Sequence, residues 1–320
     1  MSELLKRIDA RTKLAGSNKL EMLMFSLGKD ERTGREETFG INVFKVREVM
    51  RIPEITHAPD MPAAVEGMVS LRGSLVPVVD LVKYVGVQAS TPPQIMIVTE
   101  YNGHTQGFLV QSVDTILRVD WSAMKVPPEM LTAQMGGLIT AVTELRDGRI
   151  VMMMDVEKIL AETSSYADDI SIASLSPLDV GEKTVFFADD STVARKQIMK
   201  TLDALGIKYT FATNGKEAWQ ELQKIAARAD MQQLPVKSLI HLILTDVEMP
   251  EMDGYVLTRH IKADVRFAGI PVLMHSSLSS SANQQLGRSV GVDEYVPKFE
   301  PHKLAEVLTR LLVSHQGVEA

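Results

Sequence analysis

Asp189, Asp190, Asp246, Ser276 and Lys298 each stand at the end of a short apolar run. Val185-Phe186-Phe187-Ala188 stops at the acidic pair, and Leu242-Ile243-Leu244-Thr245 stops at Asp246. Pro271-Val272-Leu273-Met274-His275 stops at Ser276, and Glu294-Tyr295-Val296-Pro297 stops at Lys298. If these runs are parallel strands, their carboxyl ends gather the groups at one sheet edge, where ligands of open α/β sheets bind. Carboxylates held together repel: a pair ~4 Å apart costs about 4 kcal/mol at an effective dielectric of 20. A bound cation removes that cost, and an oxygen-only donor set favours Mg2+ over zinc. Lys298 adds a positive charge on a flexible stem suited to a phosphoryl oxygen, and Ser276 offers a hydroxyl donor. Asp246 is then placed as a nucleophile that forms an acyl phosphate. Taken singly, each residue has a plainer reading. An Asp at a strand end caps a helix or forms a turn, and a lysine before a helix is ordinarily solvated. The conjunction at four strand ends points to Mg2+-dependent phosphoryl chemistry.

The elements that must position these groups follow from periodicity. Strands are expected at 184–188, 208–212, 239–244, 271–275 and 293–296, and helices at 192–205, 215–228, 254–263, 279–289 and 302–314. Ala194, Ile198, Leu202 and Leu205 share one face of the first helix; Ala218, Leu222 and Ile225 share one face of the second. Such βα alternation implies a parallel sheet covered on both faces. Upstream the grammar changes. Glu21–Leu27, Thr38–Val43, Met68–Leu71, Ser74–Val79, Gln94–Glu100, Gln106–Gln111 and Arg149–Met153 read as short, turn-bounded strands. Asn102-Gly103 and Asp147-Gly148 mark hairpins, because both positions of a type I′ turn need positive φ. Closely spaced strands with little helix imply barrels or a sandwich, closed by a helix over Asp155–Glu162. Residues 163–182, rich in small, polar and acidic types, read as a flexible linker of ~20 residues. Residues 1–17 read as an amphipathic helical segment carrying Leu4, Leu5, Ile8 and Leu14, and 316–320 as a tail.

A chain of 320 residues has room for two or three domains. Its hydrophobic content of 45% and charged content of 23% are those of globular protein. A net charge of −7 argues against nucleic acid as a partner. With no cysteine, disulfides and thiolate metal sites are excluded. No apolar run reaches the ~18 residues of a membrane span, and Met1–Arg7 lacks the hydrophobic region of a secretory signal. A cytoplasmic protein without direct membrane insertion is expected.

The first half shows no catalytic cluster. His57 and His104 are isolated, and Met22–Met24 and Met152-Met153-Met154 read as strand core. Its densest signal is Gly-Met-Val-Ser-Leu-Arg-Gly-Ser-Leu-Val-Pro-Val-Val-Asp-Leu at 67–81, a Gly-bearing turn with Arg72 between two apolar strands. On residues alone this is either a hairpin with a solvated arginine or a contact site.

Phe-Ala-Asp-Asp-Ser at 187–191, Leu-Thr-Asp-Val-Glu-Met-Pro-Glu-Met-Asp-Gly-Tyr at 244–255, Pro-Val-Leu-Met-His-Ser-Ser at 271–277 and Tyr-Val-Pro-Lys at 295–298 resemble the response-regulator receiver domain in order and spacing. The resemblance covers about 183–315 and implies a flavodoxin-like five-stranded parallel sheet in order 2-1-3-4-5. It further implies that Asp246 takes phosphate from a phosphohistidine kinase, and that Asp189, Asp190, Asp246 and the backbone carbonyl of Glu248 hold Mg2+. Ser276 and Lys298 would bind the phosphoryl, and Ser276 and Tyr295 would form a switch pair, the hydroxyl moving toward the phosphoryl as the ring turns inward. The Glu248 side chain would tune phosphoryl lifetime, and any catalysis would be confined to the domain's own phosphorylation and dephosphorylation. Two departures stand out. Phe299 replaces the proline, often cis, that usually follows the lysine, which leaves the local backbone open. Serine replaces the commoner threonine at 276, losing a methyl but keeping the donor.

The 67–81 stretch, Phe-Gly-Ile-Asn-Val-Phe-Lys-Val-Arg-Glu-Val at 39–49 and the Arg149–Leu160 segment resemble the CheW family of chemotaxis coupling proteins over about 18–162. This resemblance implies an all-β domain of two five-stranded SH3-like barrels packed on each other. By the same resemblance they would dock onto chemoreceptor tips and the regulatory domain of the histidine kinase CheA, with Arg72 as a contact. A coupling module followed by a receiver is the CheV-type arrangement. With nothing after residue 320, no DNA-binding or enzymatic output domain is expected. The expectation is a scaffold at membrane-associated chemoreceptor arrays, linking receptors to CheA and regulated by phosphorylation of Asp246, as adaptation or as a phosphate sink. One rival is an interaction-only scaffold that is never phosphorylated. The other is a haloacid-dehalogenase-type phosphatase, which places its acids as Asp-x-Asp after the first strand. Here they are adjacent, and the acceptor follows the third strand.

Overall fold

A computed structural model describes residues 18–57, 59, 61–101, 103–163, 172–178, 181–277 and 281–314. The expected N-terminal helix, Asn102, the tail and half of the linker lie outside the described residues. The chain forms two compact units, Leu20–Ser165 and Tyr166–Ala320, the latter grouped with Met1–Lys19.

The first unit contains β1 (Lys19–Lys29), β2 (Glu36–Asn42), β3 (Val46–Arg51), β4 (Val65–Leu71), β5 (Ser74–Asp80), α1 (Leu81–Val85), β6 (Ile95–Tyr101), β7 (His104–Val110), β8 (Ser112–Asp120), α2 (Glu129–Gln134), β9 (Ile139–Glu144), β10 (Ile150–Met154) and α3 (Val156–Thr163). They make two five-stranded sheets, β8-β1-β2-β10-β9 and β3-β6-β7-β5-β4, which fits the two small barrels expected. One core gathers Leu20, Met22, Met24, Val151 and Met153; the other gathers Val69, Val76, Val78, Met96 and Val98. Met22, Met24 and Met153 are therefore core, while Met152 is half-buried.

Both sheets follow one plan. In each, a parallel pairing sits between antiparallel ones: β2 with β10, and β7 with β5. Met22 on β1 lies over Gly40 on β2, and Met96 on β6 lies over Gly107 on β7; a Cβ at 107 would stand 2.8 Å from the Met96 sulfur. The register matches too, each methionine sitting two residues before its glycine's partner, Met24 or Val98. In each parallel pair one strand, β5 or β10, then runs into a buried aspartate that caps a helix. Asp80 Oδ1 accepts from the amides of Val82 and Lys83 at 2.8 and 3.1 Å. Asp155 Oδ1 accepts from Glu157 and Lys158 at 3.0 and 3.1 Å. In sequence this duplication shrinks to Asp-x-x-Lys at 80–83 and 155–158, too little to see as a repeat.

The hairpins correct one expectation. Asp147-Gly148 is not a two-residue type I′ turn: Leu145 N–H donates to Arg149 O at 2.8 Å, and only Gly148 has positive φ. This is a three-residue loop with a left-handed glycine closing it. Arg72-Gly73 is a hairpin turn with positive φ at both central residues, 51° and 85°, between the paired Leu71 and Ser74.

The second unit contains β11 (Thr184–Ala188), α4 (Thr192–Ala204), β12 (Lys208–Ala212), α5 (Gly215–Gln232), β13 (Leu242–Thr245), α6 (Gly254–Ala263), β14 (Val272–Ser276), α7 (Ser281–Ser289), β15 (Glu294–Pro297) and α8 (Pro301–Ser314). All four pairings are parallel and the order is β12-β11-β13-β14-β15, the expected 2-1-3-4-5. Separate apolar clusters cover the two faces, which is why central strands such as β13 are buried at every residue. Part of the 163–182 stretch is not free spacer. Leu175 and Leu178 pack on the cluster that includes Leu205 and Leu308, Leu178 N–H donates to Leu205 O at 3.0 Å, and Ser174 Oγ lies 3.3 Å from His302 Nε2.

Candidate functional site

Four strands of the parallel sheet deliver the site. β11 is followed by Asp189 and Asp190, β13 by Asp246, and β15 by Lys298, while Ser276 is the last residue of β14. Asp189, Asp246, Ser276 and Lys298 are buried, and Asp190 is half-buried. One carboxylate oxygen from each of Asp189, Asp190 and Asp246 lies within 4.8 Å of the others. Lys298 Nζ reaches Asp246 Oδ2 at 2.8 Å and Asp189 Oδ2 at 2.9 Å. Asp246 Oδ1 accepts from its neighbour Val247 N–H at 2.6 Å, and Asp189 Oδ1 accepts from Ser191 N–H at 2.8 Å. Every oxygen so held is fixed by backbone or by the ammonium, which keeps the group poised around one point. All the acidic donors are oxygen, which suits a hard divalent cation.

Helix starts surround the site. Ser191 caps α4 through the Ala194 amide at 3.3 Å, and Asp253 caps α6 through the Val256 amide at 2.7 Å. Burial of Asp253 raises its carboxyl to about 6, against the lowering pull of the Val256 amide and Arg259. Tyr295 is half-buried, and its hydroxyl is hydrogen-bonded to Ser276. Burial holds the Tyr295 phenol well above its usual range. Glu248 is buried in the loop after β13. Phe299 settles the backbone question left by the missing proline: it takes positive φ, 62°, and buries its ring. No peptide bond among the described residues is cis.

The structure thus brings Asp189, Asp190, Asp246 and Lys298 together, and links Ser276 to Tyr295 beside them. Arg72 lies in the other unit, on the β4–β5 turn, 70% exposed and 3.0 Å from Glu48. Two residues escaped the sequence reading. Arg195 Nη1 donates to the Asp189 carbonyl at 2.8 Å, and the Tyr255 hydroxyl donates to the Asn283 carbonyl at 3.3 Å. Their partners are backbone atoms, which leave no pattern in a sequence; for Tyr255 the one clue was its place directly after Asp253-Gly254.

Two family descriptions match this chain: the CheW-like domain at residues 21–164 and the response regulator receiver domain at residues 185–309. The chemotaxis protein CheV3 of Helicobacter pylori is 30% identical over 302 residues, covering 92% of this chain and 95% of that protein. The chemotaxis protein CheV1 of the same organism is 28% identical, covering 98% of this chain and 99% of that protein. Among solved structures, the scaffolding protein TtCheW of Thermoanaerobacter tengcongensis is 25% identical over 42% of this chain and 88% of its own, with a TM-score of 0.38. The two matched domains in this order, together with likeness along nearly the whole length of CheV3, place the chain in the CheV family of chemotaxis proteins.

Proposed function

We propose that this protein is a chemotaxis scaffold that couples chemoreceptors to the histidine kinase CheA through its CheW-like unit (18–162) and is regulated by phosphorylation of Asp246 in its receiver (183–315). The observation that carries the reading is Lys298. A fully buried ammonium between two carboxylates is costly to bury and is explained by a site built to receive further negative charge. Asp246 is the acceptor. The phosphoryl passes from a kinase histidine nitrogen to an Asp246 carboxylate oxygen; the N–P bond breaks, the O–P bond forms, and the imidazole leaves. Asp189, Asp190, Asp246 and the Glu248 carbonyl hold Mg2+, which when bound neutralises charge on the transferring group. Lys298 and Ser276 bind phosphoryl oxygens, and withdrawal of Ser276 toward them breaks its bond to Tyr295. Arg72 contacts a partner of the coupling unit. The chain acts as a phosphoacceptor, not as a catalyst on a separate substrate, and works at receptor arrays in the cytoplasm.

Phosphotransfer from purified CheA tests the reading. Radiolabelled kinase should lose its label to this protein in Mg2+, and Asp246→Asn should abolish the transfer. Undiminished labelling of the variant would sink the assignment.

A further inference from the structure

Tyr255 is buried, at 3% exposure, and the phosphoryl chemistry does not use it. It follows Gly254 at the start of α6. The glycine lets that helix sit directly on the acceptor turn: Gly254 N–H donates to Val247 O at 2.9 Å, and a Cβ there would collide with the Asp246 carbonyl oxygen. The first turn of α6 is therefore fixed to the backbone of the acceptor itself.

From this anchored position Tyr255 reaches α7. Its hydroxyl donates to the Asn283 carbonyl in the first helical turn, and a carbonyl has lone pairs for both a phenol and a helix amide. Burial first, then the neighbouring Tyr295 and the charges of Asp253, Glu248 and Asp246, hold the phenol in its protonated, donating form. One turn further along α7, Gly287 lies against the Tyr295 ring, where a Cβ would stand 3.6 Å from ring carbon Cδ2. So α7 is touched by two tyrosines, and both lead back to the acceptor. Tyr295 does so through the Ser276 hydroxyl; Tyr255 does so through the Gly254 backbone.

We propose that Tyr255 is a positioning residue: through the Asn283 carbonyl it holds α7 in its unphosphorylated place, and phosphorylation must release this bond for α7 to move with the Ser276/Tyr295 rearrangement. The proposal rests on the reading of Asp246 as phosphoacceptor. A bond present in only one of two states biases their equilibrium, and by linkage it weakens any ligand that favours the other. A neutral hydrogen bond is worth about a fivefold bias.

The test uses the full chain, wild type and Tyr255→Phe, titrated with beryllofluoride in Mg2+, with amide hydrogen exchange followed along α7. The ring of the variant still fills its place, so the change is confined to the hydroxyl. Tyr255→Phe should bind beryllofluoride about fivefold more tightly. Its α7 amides should exchange about fivefold faster than wild type without the ligand and equally with it. A residue that merely supports the fold would weaken the complex when altered, and its loss would speed exchange in α4 and α5 as well. Equal or weaker binding by the variant overturns the proposal. Failure of the wild-type chain to bind beryllofluoride at all overturns the phosphoacceptor reading, and the inference with it.

Discussion

At Lys298 one ammonium answers two carboxylates, and with 1% of its side chain exposed it has no water to turn to. Removing one partner of a buried ion pair leaves the other charge uncompensated, at about 3–5 kcal/mol. Lys298→Met is therefore expected to lower stability by about 3 kcal/mol, with Mg2+ restoring part of it; thermal melts with and without the ion check this. Asp253 behaves in the opposite sense. Burial raises its carboxyl to about 6, above the ordinary 3.8, so the folded state prefers the protonated form. Its contribution to stability is full below the unfolded value and is lost as pH rises through about 6. The penalty of the ionised form is on the order of 3 kcal/mol. Asn caps as well as Asp, so Asp253→Asn should gain on wild type between pH 4 and 6, about that window, and hold its lead above it. Urea midpoints across pH would show a constant gap if Asp253 titrates normally. The charged residues of the site were legible because each follows an apolar run that the fold must bury. Tyr255 and Arg195 were not, since what they bind is main chain.

Among the elements, the β4–β5 turn combines two demands. A type I′ turn needs positive φ at both central residues, yet Arg72 fills the first position at 51°, where a side chain costs about 1–2 kcal/mol. Strain kept at an exposed tip is what motivates the proposed contact role. Arg72→Gly should leave stability unchanged or raise it by up to about 1 kcal/mol, while weakening capture of the kinase or receptor. Binding equal to wild type would remove Arg72 from the proposed contacts. Element placement also shows where sequence patterns fail. The three strands not marked beforehand, β3, β8 and β9, are all sheet edges. An edge strand need not bury a full face: β8 reads Ser-Val-Asp-Thr-Ile-Leu-Arg-Val-Asp, and none of it is fully buried. The interior strands of the parallel sheet, buried on both faces, gave unbroken apolar runs.

At the scale of the molecule, the receiver's architecture was readable almost entirely, because alternating βα units admit few arrangements. The coupling unit's internal duplication was not, because what repeats is strand order and a methionine–glycine contact. Within the 163–182 stretch, composition conceals packing. Leu175 and Leu178 are isolated apolar residues in a stretch of Ser, Pro and Asp, and composition hid the fact that they complete the apolar cluster beneath α4 and α8. That docking has a practical outcome for exchanging modules between proteins. A receiver excised at 183 would leave behind the residues that cover its own surface, exposing apolar side chains of the kind that promote aggregation. The portable cassette starts no later than Ser174, and chimeras joined upstream of it are the ones expected to express as well-behaved hybrids.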